Sequence, residues 1–385
     1  MAMCKKLIIL KFFLLFIPVF LNGQIRVRLF TSKAPESVVF AVTEGRYVIS
    51  DYNNESVVVS AGEHAVLSKF NDMVAVKARN SGGLLCDSVL IKGVSGNDGF
   101  SLRIFGNNPI TQFYNGDLEC IPDLGTLLLI NISDIEKYIA GVVKAEGGSG
   151  KNIEYFKSQA VLARTYMYRH MNRHILDRYN LCDDTHCQVF FGVTDDTMII
   201  RSANETKGLV ILDKNNFPVI SAFHSNCGGE TSTPENVWLF NPPYLKKVTD
   251  PYCTSSRSAT WQKSIEYNEW VSYLNNMGYT GGSTNPSVFN FAQATRASDY
   301  RVGSFTIPFR LIRTDLNLRS AFFSVSVNGD SVLLKGKGYG HGVGLCQEGA
   351  MVMAAKGYNF RQIIDFYYSG VTIADIQKAS TNNTK

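Results

Sequence analysis

Three kinds of side chain in this sequence are placed where chemistry is done. Glu146 stands in the stretch "GVVKAEGGSGKNIEYFKSQAVLARTYMYRH", residues 141–170, between an apolar run and a group of glycines. A lone carboxyl group at such a turn is a candidate proton donor and acceptor. The stretch "CDDTHC", residues 182–187, offers two thiols and an imidazole, with His170 and His174 one turn apart upstream. Thiolates and imidazoles in fours are what a closed tetrahedral zinc site uses. The spacing matches no standard zinc-finger pattern, and outside the cytoplasm a Cys182–Cys187 disulfide explains the two thiols equally well.

Two further stretches expose polar groups through glycine turns. "SAFHSNCGGETS", residues 221–232, presents His224, Ser225 and Asn226, but no serine lies in a G-x-S-x-G elbow, which argues against a Ser/His hydrolase. "GKGYGHGVG" around His341 lacks the Lys-Ser/Thr ending of a phosphate loop and the spacing of a dinucleotide fingerprint. Its glycines instead suit a backbone that closely approaches a ligand. Lys157 and Arg164 lie seven residues apart, two helical turns, so both project on one face. That face is either a cationic one serving Glu146 or a ligand, or simply a solvated one.

The elements that must hold these groups follow from periodicity. Residues 24 to about 130 alternate as short strands ("IRVRLF", "SVVFAV", "RYVISD", "SVVVSA", "MVAVKA", "TLLLINI") separated by turn residues. Helical spacing then takes over, with Ser133 and Glu136 as a capping-box pattern before "KYIAGVVKA" and a second helix from about Ile153. Glu146 therefore falls at or just past a helix end, its side chain exposed. Strands return in "GLVIL", "PVISAFHS" and "LKKVT", and residues 275–300 read as an insertion or long loop. "FFSVSV", "SVLLKG" and two helical patterns ending in "QIIDFYYSG" close the chain before the polar tail 376–385. The fold class is α+β, with a β-rich region over 24–127 and a mixed α/β region over 128–375.

The 385 residues are 45% hydrophobic and 18% charged, an ordinary globular composition. The start "MAMCKKLIILKFFLLFIPVFLNGQ" reads as an export signal over residues 1–23, the alternative being an uncleaved membrane anchor with a rather short apolar run. Cleavage would remove Lys5, Lys6 and Lys11 and no acids, taking the formal charge from +5 to +2. No basic run of the kind that binds nucleic acid is visible. Seven of the eight cysteines would remain, an odd number that cannot all pair within one chain.

Several of these segments, in this order, resemble the stage II sporulation protein D (SpoIID/LytB) family. They are "YIAGVVKAEGG…FKSQAVLARTYMY", "LCDDTHCQVFFG", "ETKGLVI…ISAFHSNCGGET", "VWLFNPPYLKKV", "FRLIRTDLNLRSAFFSV" and "GKGYGHGVGLCQEGAMVMAAKGYNFRQIIDFYYSG", spanning about residues 128–372. The resemblance implies a SpoIID-like catalytic core acting as an exported, periplasmic or extracytoplasmic lytic transglycosylase on peptidoglycan glycan strands, with Glu146 as acid/base. It implies structural Zn2+ on Cys182, His186 and Cys187, with His174 preferred over His170 as fourth ligand. Lys157, Gln159, Arg164, His224, Ser225, His341 and Gln347 become the substrate-binding candidates. Some relatives are described as enhancers of cell-wall amidases, which makes such an amidase a candidate partner and a non-catalytic wall-binding module the alternative. A zinc-dependent amidase is a weaker third reading, because dense cysteine ligation leaves the metal no open position. Two departures stand out: Gly147 and Gly148 follow the glutamate where the family usually has Met-Pro, and Cys346 stands where it usually has serine or another small residue.

The chemistry is consistent with one carboxyl group. In a lytic transglycosylase the sugar's own 6-hydroxyl replaces water, whereas a conventional glycosidase needs a second Asp or Glu across the bond. Asp134, Glu230 and Asp250 are the candidates for such a partner. A glutamic acid that donates near neutral pH needs a raised pKa, which burial supplies and a close Lys157 or Arg164 would oppose.

Overall fold

The computed structural model describes residues 23–379 apart from 52–55, 80–82, 149, 239 and 283–284. The stretch expected to be an export signal, apart from Gly23, and the tail beyond residue 379 lie outside the described residues. Among those described, no helix is long and apolar enough to cross a membrane.

The fold is mixed α+β. Two antiparallel layers make up the N-terminal region. In the strand Gln24–Leu29, Ile25, Val27 and Leu29 are buried while the intervening residues are not, and Ser37–Glu44 buries Val38, Phe40 and Val42 in the same way. This period of two turns one face of each sheet inward. A six-stranded sheet contributes Phe40 and Phe100 and a seven-stranded sheet contributes Tyr47, and the three rings meet with centroids 5.1 to 5.5 Å apart. Strands His64–Phe70, Val89–Gly93, Gly99–Ile104, Ile110–Asn115 and Asp117–Asp123 complete the pattern where turn residues hid them from the sequence reading.

The layers do not end at residue 127. Residues 129–134 of the strand Thr126–Asp134 pair with Gln24–Leu29, and the strand runs directly into helix α1, Ile135–Glu146. Leu181–Cys182 then joins the far edge of the same sheet, parallel to Gln24–Leu29. One hydrophobic core is continuous across the expected boundary. Aromatic contacts carry it further: Phe100 packs on Tyr114, Tyr114 on Phe190, and Phe190 on Tyr138 of α1, the last pair 5.0 Å apart. Gly141 allows this approach, since a Cβ there would lie 2.3 Å from the Gly192 carbonyl.

The N-terminus of α1 differs from the expected capping box. Asp134 is the N-cap, accepting from the Glu136 and Lys137 N–H groups, while the Ser133 hydroxyl donates to the Asp134 carbonyl. Glu136 is thereby freed for a buried ion pair. Helix α2, Ile153–His170, starts at Asn152 and packs against α3, Thr197–Glu205. "PVISAFHS" gives only the short strand Phe223–His224, and "LKKVT" forms a single bridge, Glu230 to Thr249.

The described residues of 275–300 are mostly irregular, as expected, apart from the short turn Pro286–Phe289, but they belong to a compact unit over 260–337. Strands Thr260–Glu266, Phe323–Asn328 and Ser331–Lys337 form a sheet, joined by α4 (Tyr267–Asn276), α5 (Phe309–Asp315) and the hairpin of Asp299–Val302 with Phe305–Pro308. Trp270, Tyr300 and Phe309 fill a separate core. The rings of that core lie too far apart in sequence to make a periodic pattern. Helices α6, Gln347–Ala355, and α7, Phe360–Tyr367, return to the main core beside α2.

Candidate functional site

Glu146 is the last residue of α1, and Gly148 at φ +66° turns the chain away from it. The expectation of an exposed side chain needs correcting: the residue is half-buried, and its Oε1 accepts the Val189 N–H at 2.6 Å. Burial pushes its carboxyl up to about 7, against the Val189 N–H, which pulls it down. No carboxylate contributes to that shift.

The three candidates for a second carboxylate are occupied elsewhere. Asp134 caps the opposite end of α1, roughly 18 Å away at 1.5 Å per residue. Glu230 pairs with Lys247 at 3.2 Å and accepts the Arg296 N–H. Asp250 is fully buried and accepts from the Tyr252 N–H and the Tyr367 hydroxyl.

Gln347, at the start of α6, donates to the Glu146 carbonyl at 2.7 Å and reaches the Gln159 Oε1 at 3.4 Å. The structure thus gathers Glu146, Gln159 and Gln347. His224 and Ser225 join through the short parallel pairing of Phe223–His224 with Leu345–Cys346, and the Glu348 N–H donates to the Ser225 carbonyl. The buried His224 Nδ1 lies 3.1 Å from the Val343 carbonyl and its Nε2 has no partner, so among the described residues no serine completes a catalytic pair with it. The His341 ring lies 5.6 Å from that of His224, and burial lowers His341 to about 4, leaving it neutral at neutral pH. Trp238 packs on His341 at 5.5 Å and stacks on the exposed Phe240. These two rings escaped the sequence reading; the only cue was their place in "VWLFNPP".

Lys157 and Arg164 do not form a free cationic face. Lys157 bonds Glu154 and Glu205, each at 2.8 Å. Arg164 is 0% exposed; it pairs with Glu136 and donates also to Thr206 Oγ1 and the Ala203 and Leu209 carbonyls. With its guanidinium donors used inside the protein, Arg164 is a structural residue and not a ligand contact.

The sulfur and imidazole groups converge. Ligand atoms of His174, Cys182, His186 and Cys187 all lie within 4.8 Å of one another. Cys182 Sγ is 3.7 Å from His186 Nδ1, and Cys187 Sγ is 3.6 Å from His186 Nδ1 and 3.5 Å from His174 Nε2. Sulfur and nitrogen ligands of one tetrahedral zinc stand about 3.5 Å apart, so the donor set fits that ion. His174 Nδ1 lies 3.2 Å from Asp177, the orienting partner that such ligands use. His174 lies beyond the end of α2, and His170 packs on Tyr166, outside the group. The segment that carries Cys182, His186 and Cys187 also presents the Val189 N–H to Glu146.

A cavity of about 580 Å³ opens beside Asp134, Glu136 and Lys137, at the other end of α1 from Glu146, and plays no part in this site.

The chain is similar to several known proteins. The profile of the SpoIID family, described as stage II sporulation protein, matches residues 124–212, which include Glu146 and the group of His174, Cys182, His186 and Cys187. An uncharacterized protein of Brachyspira hyodysenteriae is 30% identical over 92% of this chain and 94% of its own length. Stage II sporulation protein D of Bacillus subtilis is 30% identical over 69% of this chain and 78% of its own. The amidase enhancer of Bacillus subtilis is 25% identical, over 61% of this chain and 40% of the enhancer.

Proposed function

Because the chain belongs to the stage II sporulation protein D (SpoIID) family, with a cell-wall-related function, we propose that it is an exported lytic transglycosylase of peptidoglycan glycan strands. The observation that carries this reading is Glu146, a single half-buried carboxyl group raised to about 7 with no second carboxylate acting on it. At neutral pH a large share of it is protonated and able to donate.

Protonated Glu146 gives its proton to the glycosidic oxygen between N-acetylmuramic acid and N-acetylglucosamine, and the bond to the anomeric carbon breaks as positive charge develops there. The carboxylate then takes the proton of the muramic 6-hydroxyl, whose oxygen closes the 1,6-anhydro ring. The acid is regenerated and no water is consumed. The 6-hydroxyl belongs to the same sugar, which gives it a large effective-molarity advantage over solvent. Gln347 fixes the helix end through the Glu146 carbonyl, and the Val189 N–H fixes the carboxyl rotamer and stabilises the transient carboxylate. Trp238 and Phe240 offer an apolar surface for sugar rings.

His174, Cys182, His186 and Cys187 would hold Zn2+ with no open position, so the metal would supply rigidity to the loop that aims Val189 at Glu146. Mass spectrometry of glycan strands after incubation with the protein tests the activity. Anhydro-muramic ends are expected, 2 H and one O lighter than hydrolysed ends. Reducing ends, with equal cutting of strands whose 6-hydroxyl is O-acetylated, would show that water is the nucleophile.

The similarity to an amidase enhancer favours a second reading, a module that binds glycan and assists a cell-wall amidase without cutting. Such a module would be indifferent to the Glu146 proton.

A further inference from the structure

A second group of thiols, separate from the His174 group, adjoins the site at Ser225 and Gln347. Cys227, Asp250, Cys253 and Cys346 are all buried, and their ligand atoms lie within 4.8 Å of one another. Cys227 Sγ is 3.3 Å from Cys253 Sγ and 3.2 Å from Asp250 Oδ2. We propose that Cys227, Cys253, Cys346 and Asp250 form a second, closed site for a thiophilic divalent cation of the zinc class.

Three features favour a cation over three idle thiols. Three sulfurs and a carboxylate converge, which is a complete tetrahedral ligand set, whereas a disulfide would use two sulfurs and strand the third beside the carboxylate. The surroundings suit anionic ligands: Cys346 Sγ receives the Cys227 N–H at 3.3 Å and, as N-cap of α6, the Gly349 N–H at 3.4 Å. Asp250 is held by the Tyr252 N–H on Oδ1 and the Tyr367 hydroxyl on Oδ2, the kind of outer partners that orient metal ligands. The charge is also met in part. Three thiolates and a carboxylate around a divalent ion leave a net −2, and the Arg296 guanidinium lies alongside, donating to the Cys227 carbonyl at 2.8 Å and the Glu230 carbonyl at 2.7 Å. Among the described residues it has no carboxylate on its guanidinium; Phe322 packs on it at 4.8 Å.

Metal entry displaces the three thiol protons, and any proton on Asp250, to solvent, with no change of oxidation state. The ion would tie together three segments that the chain brings from far apart: the end of Phe223–His224, the 250–253 turn and the start of α6. The last of these carries Gln347, so the site would brace the wall that holds Glu146 in place.

Zinc content of the full chain tests this without reference to glycan cleavage. Cys182→Ser/Cys187→Ser protein should keep one equivalent of zinc per chain, and adding Cys346→Ser should remove it. Folded double-variant protein that contains no zinc would overturn the proposal. As a check that needs no variant, wild-type protein is alkylated before and after chelation and its cysteines mapped. Chelator-dependent exposure of Cys227, Cys253 and Cys346 supports the site. A Cys227–Cys253 disulfide, or protection that chelation leaves unchanged, sinks it.

Discussion

The two ends of α1 carry glutamates put to opposite uses. Glu136, in the first turn, is buried against the guanidinium of Arg164 and is spent on that ion pair. Glu146, ten residues on and roughly 15 Å away along the axis, has one N–H for company and no cation. One helix thus holds a carboxylate whose charge is compensated and a carboxyl group whose charge is discouraged. What separates structure from chemistry here is not residue type or burial alone but whether a buried carboxyl is given a counter-ion.

The contrast breaks most sharply at the catalytic end. Glu146→Gln keeps the shape and loses the proton, so cleavage should fall by about 10²- to 10⁴-fold while folding and glycan binding persist. Near wild-type cutting by this variant would show that another group, and not Glu146, is the acid. At the other end, Glu136→Gln strands the Arg164 charge in the core, and breaking a buried pair of this kind costs about 3–5 kcal/mol of stability. Denaturant melts should show that loss, with activity per folded molecule little altered. Replacing both partners, Glu136→Leu with Arg164→Met, should cost less than Glu136→Gln alone, because no unpaired charge remains.

A pH series sharpens the comparison. With Glu146 as the proposed acid, kcat/KM should fall about tenfold per unit as pH rises above about 7. The same shift has a stability consequence of defined sign. The folded value, about 7, exceeds the ordinary 4.5, so the native state binds more protons in that window and stability is lost as pH climbs from about 4.5 to 7. Glu146→Gln cannot titrate. It should be more stable than wild type at pH 8, by about 1–3 kcal/mol after allowance for partial exposure, and the difference should shrink below pH 5. Equal stability at both pH values would mean that burial does not raise this carboxyl. The smallest effect is expected from His170→Ala, which should keep its zinc and alter stability little, whereas His174→Ala should lose zinc affinity and with it thermal stability; elemental analysis and melting curves distinguish the two.

Local pattern revealed what local pattern controls. Strand alternation, the two helices around Glu146, and the thiol and imidazole set of "CDDTHC" are short-range features and were legible. His174 was chosen as the fourth ligand, although it reaches the group from beyond a helix end that spacing did not reveal. Arg164 was misread because a seven-residue spacing places it on the face of Lys157 but says nothing of what covers that face; the backbone of α3 and Glu136 do. Glu136 was misassigned for the complementary reason, since its spacing from Ser133 imitates a cap that Asp134 supplies. The compact unit over 260–337 was hidden by its polar loops. Cys227, Cys253 and Cys346 lie 26 and 93 residues apart in succession, distances over which no motif can announce a shared pocket.

The strand Gln24–Leu29 has a consequence for how the chain acquires its structure. Translation produces this segment early, yet one neighbour, Thr126–Asp134, follows after about a hundred residues, and the other, Leu181–Cys182, pairs with it across 181 − 27 = 154 positions. Until then its backbone donors and acceptors are open to any other extended chain, the condition under which sheet edges aggregate. Closing such a long loop is also entropically slow. The last strand to arrive contains Cys182, so the event that seals the sheet edge is also the one that brings a ligand of the proposed zinc site into position. If that site takes zinc, a newly made chain deprived of it should linger with that edge exposed, and the shortage would be felt first in the yield of folded protein.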